Sequence, residues 1–93
     1  MPSVVATIQV KPDKIEEAKT FLRQLSADTL AKESGTLVYL PHQRKDDPTV
    51  FVFYEKYESD AALATHGKNL AGVAKQFGAL LAGAPDIVHL EEL

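Results

Sequence analysis

The chain of 93 residues contains no cysteine, no tryptophan and a single methionine. Without cysteine there is no disulfide, no thiolate nucleophile and no cysteine-ligated zinc or iron–sulfur site. No apolar run approaches the roughly 20 residues a membrane-spanning helix needs. The opening segment MPSVVATIQVKP lacks the basic start and long apolar stretch of a signal peptide and reads as a strand from the outset. No basic stripe is present either. The formal net charge is −3, with acids and bases interleaved, which excludes the electrostatic footprint of a nucleic-acid binder. Nor is there a Gly-rich phosphate loop, a GxSxG elbow or an HExxH pair. His42 and His89 stand alone, so no metal site is expected.

What is present is ordinary for a small globular protein: 45% hydrophobic and 25% charged residues, read as one cytoplasmic domain over residues 1–93. A chain this short buries only about 60–68% of its unfolded surface, so its own core is modest.

Ser3 to Val10 is β-branched and presents Val4, Ala6, Ile8 and Val10 on one face, as a strand. Pro12 ends it. Asp13 and Glu16 have the spacing of a capping box. Ile15, Ala18, Leu22, Leu25 and Thr29 then recur at helical intervals, with Phe21 widening the stripe and Gly35 as the expected C-cap. TLVYLPHQR is a second strand, expected at an edge or bulged at Pro41. The turn KDDP (Lys45 to Pro48) joins it to a third strand, TVFVFYEKY, as an antiparallel hairpin. Ser59 caps a short helix from Asp60 to about His66, which Gly67 is expected to break or bend. A longer helix is read from about Asn69 to Leu81, stopped by Gly83 and Pro85, before a last strand, DIVHLEEL. The order β-α-β-β-α-β is the ferredoxin-like split βαβ pattern, an α+β fold with helices on one face of a four-stranded antiparallel sheet.

The third strand is apolar on both faces. Phe51, Phe53, Glu55 and Tyr57 share one side; Val50, Val52, Tyr54 and Lys56 share the other. The second strand repeats this, with Leu37 and Tyr39 opposite Val38 and Leu40. Two helical segments can cover only one face. The simplest cover for the other is a second copy of the sheet, giving a homodimer; a monomer would expose a larger apolar patch than soluble monomers usually carry.

Polar groups suited to chemistry are few. His66 ends the short helix, beside Gly67, and an imidazole titrates near neutrality. Glu55 is a carboxylate on an aromatic strand face, Tyr39 and His42 fall on opposite faces of the second strand, and Lys68 and Asn69 open the helix that follows. Each has a plain structural account: a cap, a solvated carboxylate, packing tyrosines with satisfied hydroxyls.

Glu33 to His66 resembles the antibiotic biosynthesis monooxygenase family, which includes small quinol monooxygenases. The residues that carry the resemblance are Glu33 and Gly35 before the second strand, Tyr39 within it, and Asp46-Asp47-Pro48 in the turn. Phe51, Tyr54, Glu55 and Tyr57 follow on the third strand, then Ala62, Leu63 and His66 on the next helix. LLAGAPDI, Leu80 to Ile87, is similar to the family's tail.

The resemblance implies a ferredoxin-like protomer that pairs sheet to sheet as a dimeric α+β barrel. It also implies an oxygenase with no metal, flavin or other cofactor, acting with O₂ on a hydroquinone or polycyclic phenol. In that reading His66 is the acid/base, with Glu55 orienting it or binding the substrate hydroxyl. Tyr39, Phe51, Phe53, Tyr57, Asn69 and Phe77 bind the substrate, Tyr39 or Tyr57 donating to the developing oxygen anion. The chain departs from the family at Leu30, where many members carry Arg, and at Ala71, where a second His often follows. The missing Trp disfavours haem degradation. Relatives also include an isomerase of a phosphorylated sugar, a reading that requires Lys68 or Arg44 at the pocket, and proteins with no known substrate, which corresponds to a non-catalytic dimeric binding protein.

Overall fold

The structure is a computed structural model that describes all of residues 1–93. Four strands, β1 (Pro2–Gln9), β2 (Thr36–Gln43), β3 (Val50–Tyr57) and β4 (Asp86–Glu91), form one antiparallel sheet in the order β2-β3-β1-β4. Between them lie α1 (Ile15–Lys32), α2 (Asp60–Ala71) and the short α3 (Ala74–Gly78). This is the expected ferredoxin-like βαββαβ arrangement, with β2 at an edge, where Pro41 pairs opposite Phe53.

Strand alternation builds the core. Val4, Ala6 and Ile8 of β1 stand opposite Glu55, Phe53 and Phe51 of β3 and face the helices. Ala18 and Leu22 of α1 complete the buried layer, and Phe21 meets Phe77 edge-to-face at 5.4 Å. After α3 the chain returns along the end of β1, through a bridge between Val10 and Leu81 and a bond from the Ala82 N–H to the Gln9 carbonyl. That return sets the approach of β4 to its place beside β1.

Several local expectations are corrected. The Asp13–Glu16 capping box does not form: Pro12–Lys14 make one 3₁₀ turn, and the N-cap of α1 is Lys14 without a side-chain bond. Pro12 sets its own φ and cannot donate, which favours the tighter turn before the helix. Gly35 is not a left-handed C-cap, because no glycine has positive φ. Its role is steric. A Cβ there would stand 2.6 Å from Ala62 Cβ, so glycine lets the α1–β2 connection press against the first turn of α2.

The β2 irregularity lies between Thr36 and Val38, not at Pro41. The extra residue, Leu37, is 43% exposed although its sequence parity matches the buried Tyr39. The helix after Ser59 does not break at Gly67 but runs to Ala71, with the interruption at Gly72 and Val73. Leu63, His66 and Leu70 share the inner side of that helix, and their packing outweighs the cost of about 1 kcal/mol for one helical glycine. Asn69 and Lys68 therefore lie in the last turns of α2 rather than opening a new helix.

The opposite face of the sheet is bare. Leu40, Tyr54, Val88 and Leu90 are each between 38% and 48% exposed there, and no helix covers them. No helix is long and apolar enough to cross a membrane.

Candidate active site

Ser59 starts the element that carries the histidine. Its hydroxyl accepts a hydrogen bond from the Ala62 N–H at 3.1 Å, fixing the first turn of α2. Two turns on, His66 enters between helix and sheet and is 5% exposed. Its ring stacks obliquely on Tyr39 at 4.8 Å and on Tyr57 at 5.4 Å, so it lies over β2 and β3.

The partner of the imidazole is Glu33, the C-cap residue of α1. His66 Nδ1 lies 2.9 Å from Glu33 Oε1, within a buried pair. The same oxygen accepts from the Thr36 hydroxyl at 2.8 Å, and Oε2 accepts from the Asn69 side-chain amide at 3.2 Å. Burial raises the Glu33 pKa, but these bonds from Thr36, Asn69 and His66 outweigh it and leave the carboxyl below its ordinary value. An ionised Glu33 accepts only, so Nδ1 donates to it, and Nε2 is the nitrogen left to accept a proton. Nε2 has no partner within the protein. Because no buried side-chain nitrogen or oxygen lacks a hydrogen bond, that atom opens to accessible space.

His66 lines a cavity of about 370 Å³ between the sheet and α2–α3. Val4, Ala6, Ile8 and Phe53 form its floor; Leu63, Leu70 and Phe77 form its roof. Only four ring- or charge-bearing polar side chains line it: Tyr39, Glu55, His66 and His89. No lysine or arginine does. The volume and the apolar walls with a few convergent polar groups match a small-molecule site. The Tyr39 hydroxyl also has no protein partner without being a buried orphan, so it too is open to solvent or ligand.

Glu55 lies on the floor, and its Oε1 accepts from the Tyr57 hydroxyl at 2.5 Å. Burial pushes the Glu55 carboxyl above the usual range, only partly opposed by the Tyr57 bond and by the His66 and His89 imidazoles. Desolvation likewise raises the phenols of Tyr39 and Tyr57, the latter further by its bond to Glu55, so both remain donors.

The cavity thus gathers Tyr39, Phe53, Glu55, His66 and Phe77. It does not gather the other three residues expected to bind substrate. Phe51 is buried one pair further along the strand. Tyr57 is fully buried behind Glu55. Asn69 lies on the outer side of His66, holding Glu33. Glu55 does not orient the imidazole; Glu33 does. Glu33 stood among the motif residues of the sequence without a role, and its conjunction with His66 in one motif was the signal available. Arg44 is engaged by Asp46 in the β2–β3 turn, and Lys68 is exposed, both away from the cavity lining. Leu30 is exposed on α1, and Ala71 ends α2.

Comparisons with known proteins agree with this architecture. A solved structure from Caulobacter crescentus, assigned to the antibiotic biosynthesis monooxygenases, is similar at 34% identity and a TM-score of 0.91, covering 99% of this chain and 89% of its own. One from Nitrosomonas europaea with the same assignment is 26% identical, with a TM-score of 0.91 over 100% of this chain and 99% of its own. A Pseudomonas aeruginosa structure is 31% identical, with a TM-score of 0.86 over 99% and 93%. No curated protein matches the chain. The sequence pattern of the family described as antibiotic biosynthesis monooxygenase matches residues 1–82, and the chain belongs to that family.

Proposed function

We propose that this protein is a cofactor-independent monooxygenase that oxidises a hydroquinone or polycyclic phenol with O₂, using His66 as its acid/base. One observation carries the reading: a buried imidazole whose Nδ1 is held by Glu33 while its other nitrogen has no protein partner, on an aromatic-lined cavity free of fixed cations.

The chemistry starts from the substrate, because triplet O₂ reacts slowly with closed-shell molecules. Neutral His66 takes the phenolic proton at Nε2, and Glu33 stabilises the imidazolium that forms. The phenolate gives one electron to O₂, and the radical pair recombines with formation of a C–O bond. The peroxide anion so formed takes the proton back from the His66 imidazolium, and the resulting hydroperoxide loses water as the carbon that bears it gives up its hydrogen and becomes a carbonyl. For a hydroquinone the balance is quinol plus O₂ giving hydroxyquinone plus water. Tyr39 is the donor for the oxygen that becomes a carbonyl. The free oxygen of Glu55 receives a substrate hydroxyl. Sugar-phosphate isomerisation fits less well, since no lysine or arginine lines the cavity to hold a phosphate.

The reading includes a homodimer formed through the bare sheet face. The apolar side chains exposed there are what a sheet-to-sheet partner would cover.

Oxygen uptake by metal-free, flavin-free protein over a panel of hydroquinones and polycyclic phenols tests the proposal. Turnover should fall about 10²- to 10⁴-fold in His66→Ala, the usual contribution of a general base. Uptake that His66→Ala leaves unchanged would refute it.

A further inference from the structure

The cavity is polar at two separated places and apolar between them. Tyr39, Glu55 and His66 gather over β2 and β3, where all three are buried. The fourth polar residue, His89, lies on β4 at the opposite edge of the sheet.

Strand register fixes the relation between the two. Tyr39 pairs with Glu55, Glu55 with Val4, and Val4 with His89. These four residues form one row across β2, β3, β1 and β4, all on the helix-covered face. Glu55 and His89 are two strands apart, so their backbones are separated by roughly 9–10 Å at the usual strand spacing. Val4 fills the interval in the row, and beyond it only Ala6, Ile8 and Phe53 supply floor. Burial follows the same axis. Tyr39, Glu55 and His66 are buried, whereas Ile87 and His89 on β4 are exposed and form the mouth.

From this layout we infer that His89 is a second ligand-binding residue. The cavity takes a flat, largely apolar ring system carrying oxygen functions at both ends, one at His66, Tyr39 and Glu55, the other at His89. The imidazole of His89 donates to or accepts from the outer oxygen and orients the ring for attack at the inner end. His89 is a specificity residue in this arrangement; His66 remains the base. The inference rests on the function proposed above and narrows its substrate to a molecule with two opposed oxygens.

Binding under anaerobic conditions separates recognition from turnover. Three fluorescent probes serve: 1,4-dihydroxynaphthalene, 4-methoxy-1-naphthol and 1-naphthol, titrated into wild type, His89→Ala and His89→Gln. Wild type should prefer the diol over 1-naphthol by about 3- to 10-fold, the worth of one added hydrogen bond. His89→Ala should erase that preference while leaving 1-naphthol affinity within twofold, and His89→Gln should restore part of it. The methoxy probe should fall between the other two if His89 donates, and match 1-naphthol if it accepts. Because His89 is exposed, the variants should fold like the parent, which their circular dichroism checks. Equal binding of diol and 1-naphthol by wild type, or equal loss of both in His89→Ala, would overturn the assignment and leave the oxygenase reading standing. Failure of all three probes to bind would overturn both.

Discussion

Glu33 and His66 are 33 residues apart in the chain and 2.9 Å apart in the structure, carboxylate oxygen to Nδ1, with both side chains buried. One closes the first helix; the other lies in the second. Thr36 and Asn69 complete the shell around Glu33, so the imidazole is held in a single orientation by groups from three elements.

Removing that carboxylate has two separable consequences. Glu33→Ala should destabilise the fold by about 1–3 kcal/mol, because it strips partners from Thr36, Asn69 and His66. Glu33→Gln should recover much of the stability and little of the activity, since an amide cannot stabilise the imidazolium. Chemical denaturation paired with oxygen uptake checks both; full activity in Glu33→Gln would show that its charge is not used.

The two buried carboxylates should act oppositely on stability as pH changes. Glu33 has its pKa lowered on folding, so its contribution is present above the ordinary carboxylate range and lost as pH falls through its folded value. Glu55 has its pKa raised, so the fold binds a proton the unfolded chain has released, and stability falls as pH rises from the ordinary value through the raised one. Denaturation midpoints from pH 3 to 8 should therefore improve at the neutral end in Glu55→Gln and worsen there in Glu33→Gln. The same sign for both variants at neutral pH would contradict this account.

Tyr39→Phe removes a hydroxyl that has no protein partner. Stability should change by less than about 0.5 kcal/mol, the range of substitutions that break no internal contact. Turnover should drop tenfold or more, because donors aimed at developing charge typically contribute 10²–10³-fold. A thermal melt and a rate measurement on the same preparation separate the two effects.

Gly35 and Ala62 should behave as a coupled pair. Gly35→Ala brings a methyl to 2.6 Å from Ala62 Cβ, an overpacking expected to cost about 1–3 kcal/mol. Adding Ala62→Gly should return part of that loss, and the double-mutant cycle measures the coupling. Additive effects would show that the contact is not the reason for glycine.

The bare sheet face yields a test of assembly. Tyr54→Lys combined with Leu90→Asp places charge on two exposed apolar positions of that face. The wild type should elute as a dimer in light-scattering chromatography and the double variant as a monomer that keeps its circular dichroism. A wild-type monomer at micromolar concentration would refute the pairing.

Much of the fold is legible in the residues themselves. The period-two pattern of β1 and β3 and the helical stripe from Ile15 to Thr29 are local, and local periodicity dictates which face is buried. The two-faced β3 likewise announced an uncovered sheet surface, and His66 was marked out by its place in the motif.

At two places long-range packing overrides a local preference. Gly67 disfavours helix, yet α2 continues because Leu63, His66 and Leu70 need one continuous inner side. Leu37 keeps the parity of Tyr39 but turns outward at a bulge, which depends on pairing with β3 and not on its neighbours. Element order and the buried strand faces follow from spacings of a few residues along the chain, and the motif residues from Glu33 to His66 carry the family resemblance. That Glu33, rather than Glu55, holds the histidine, and that His89 shares its cavity, depends on how the chain folds back on itself. Those are contacts between distant segments, and hydrogen-bond geometry leaves no periodic trace in the chain.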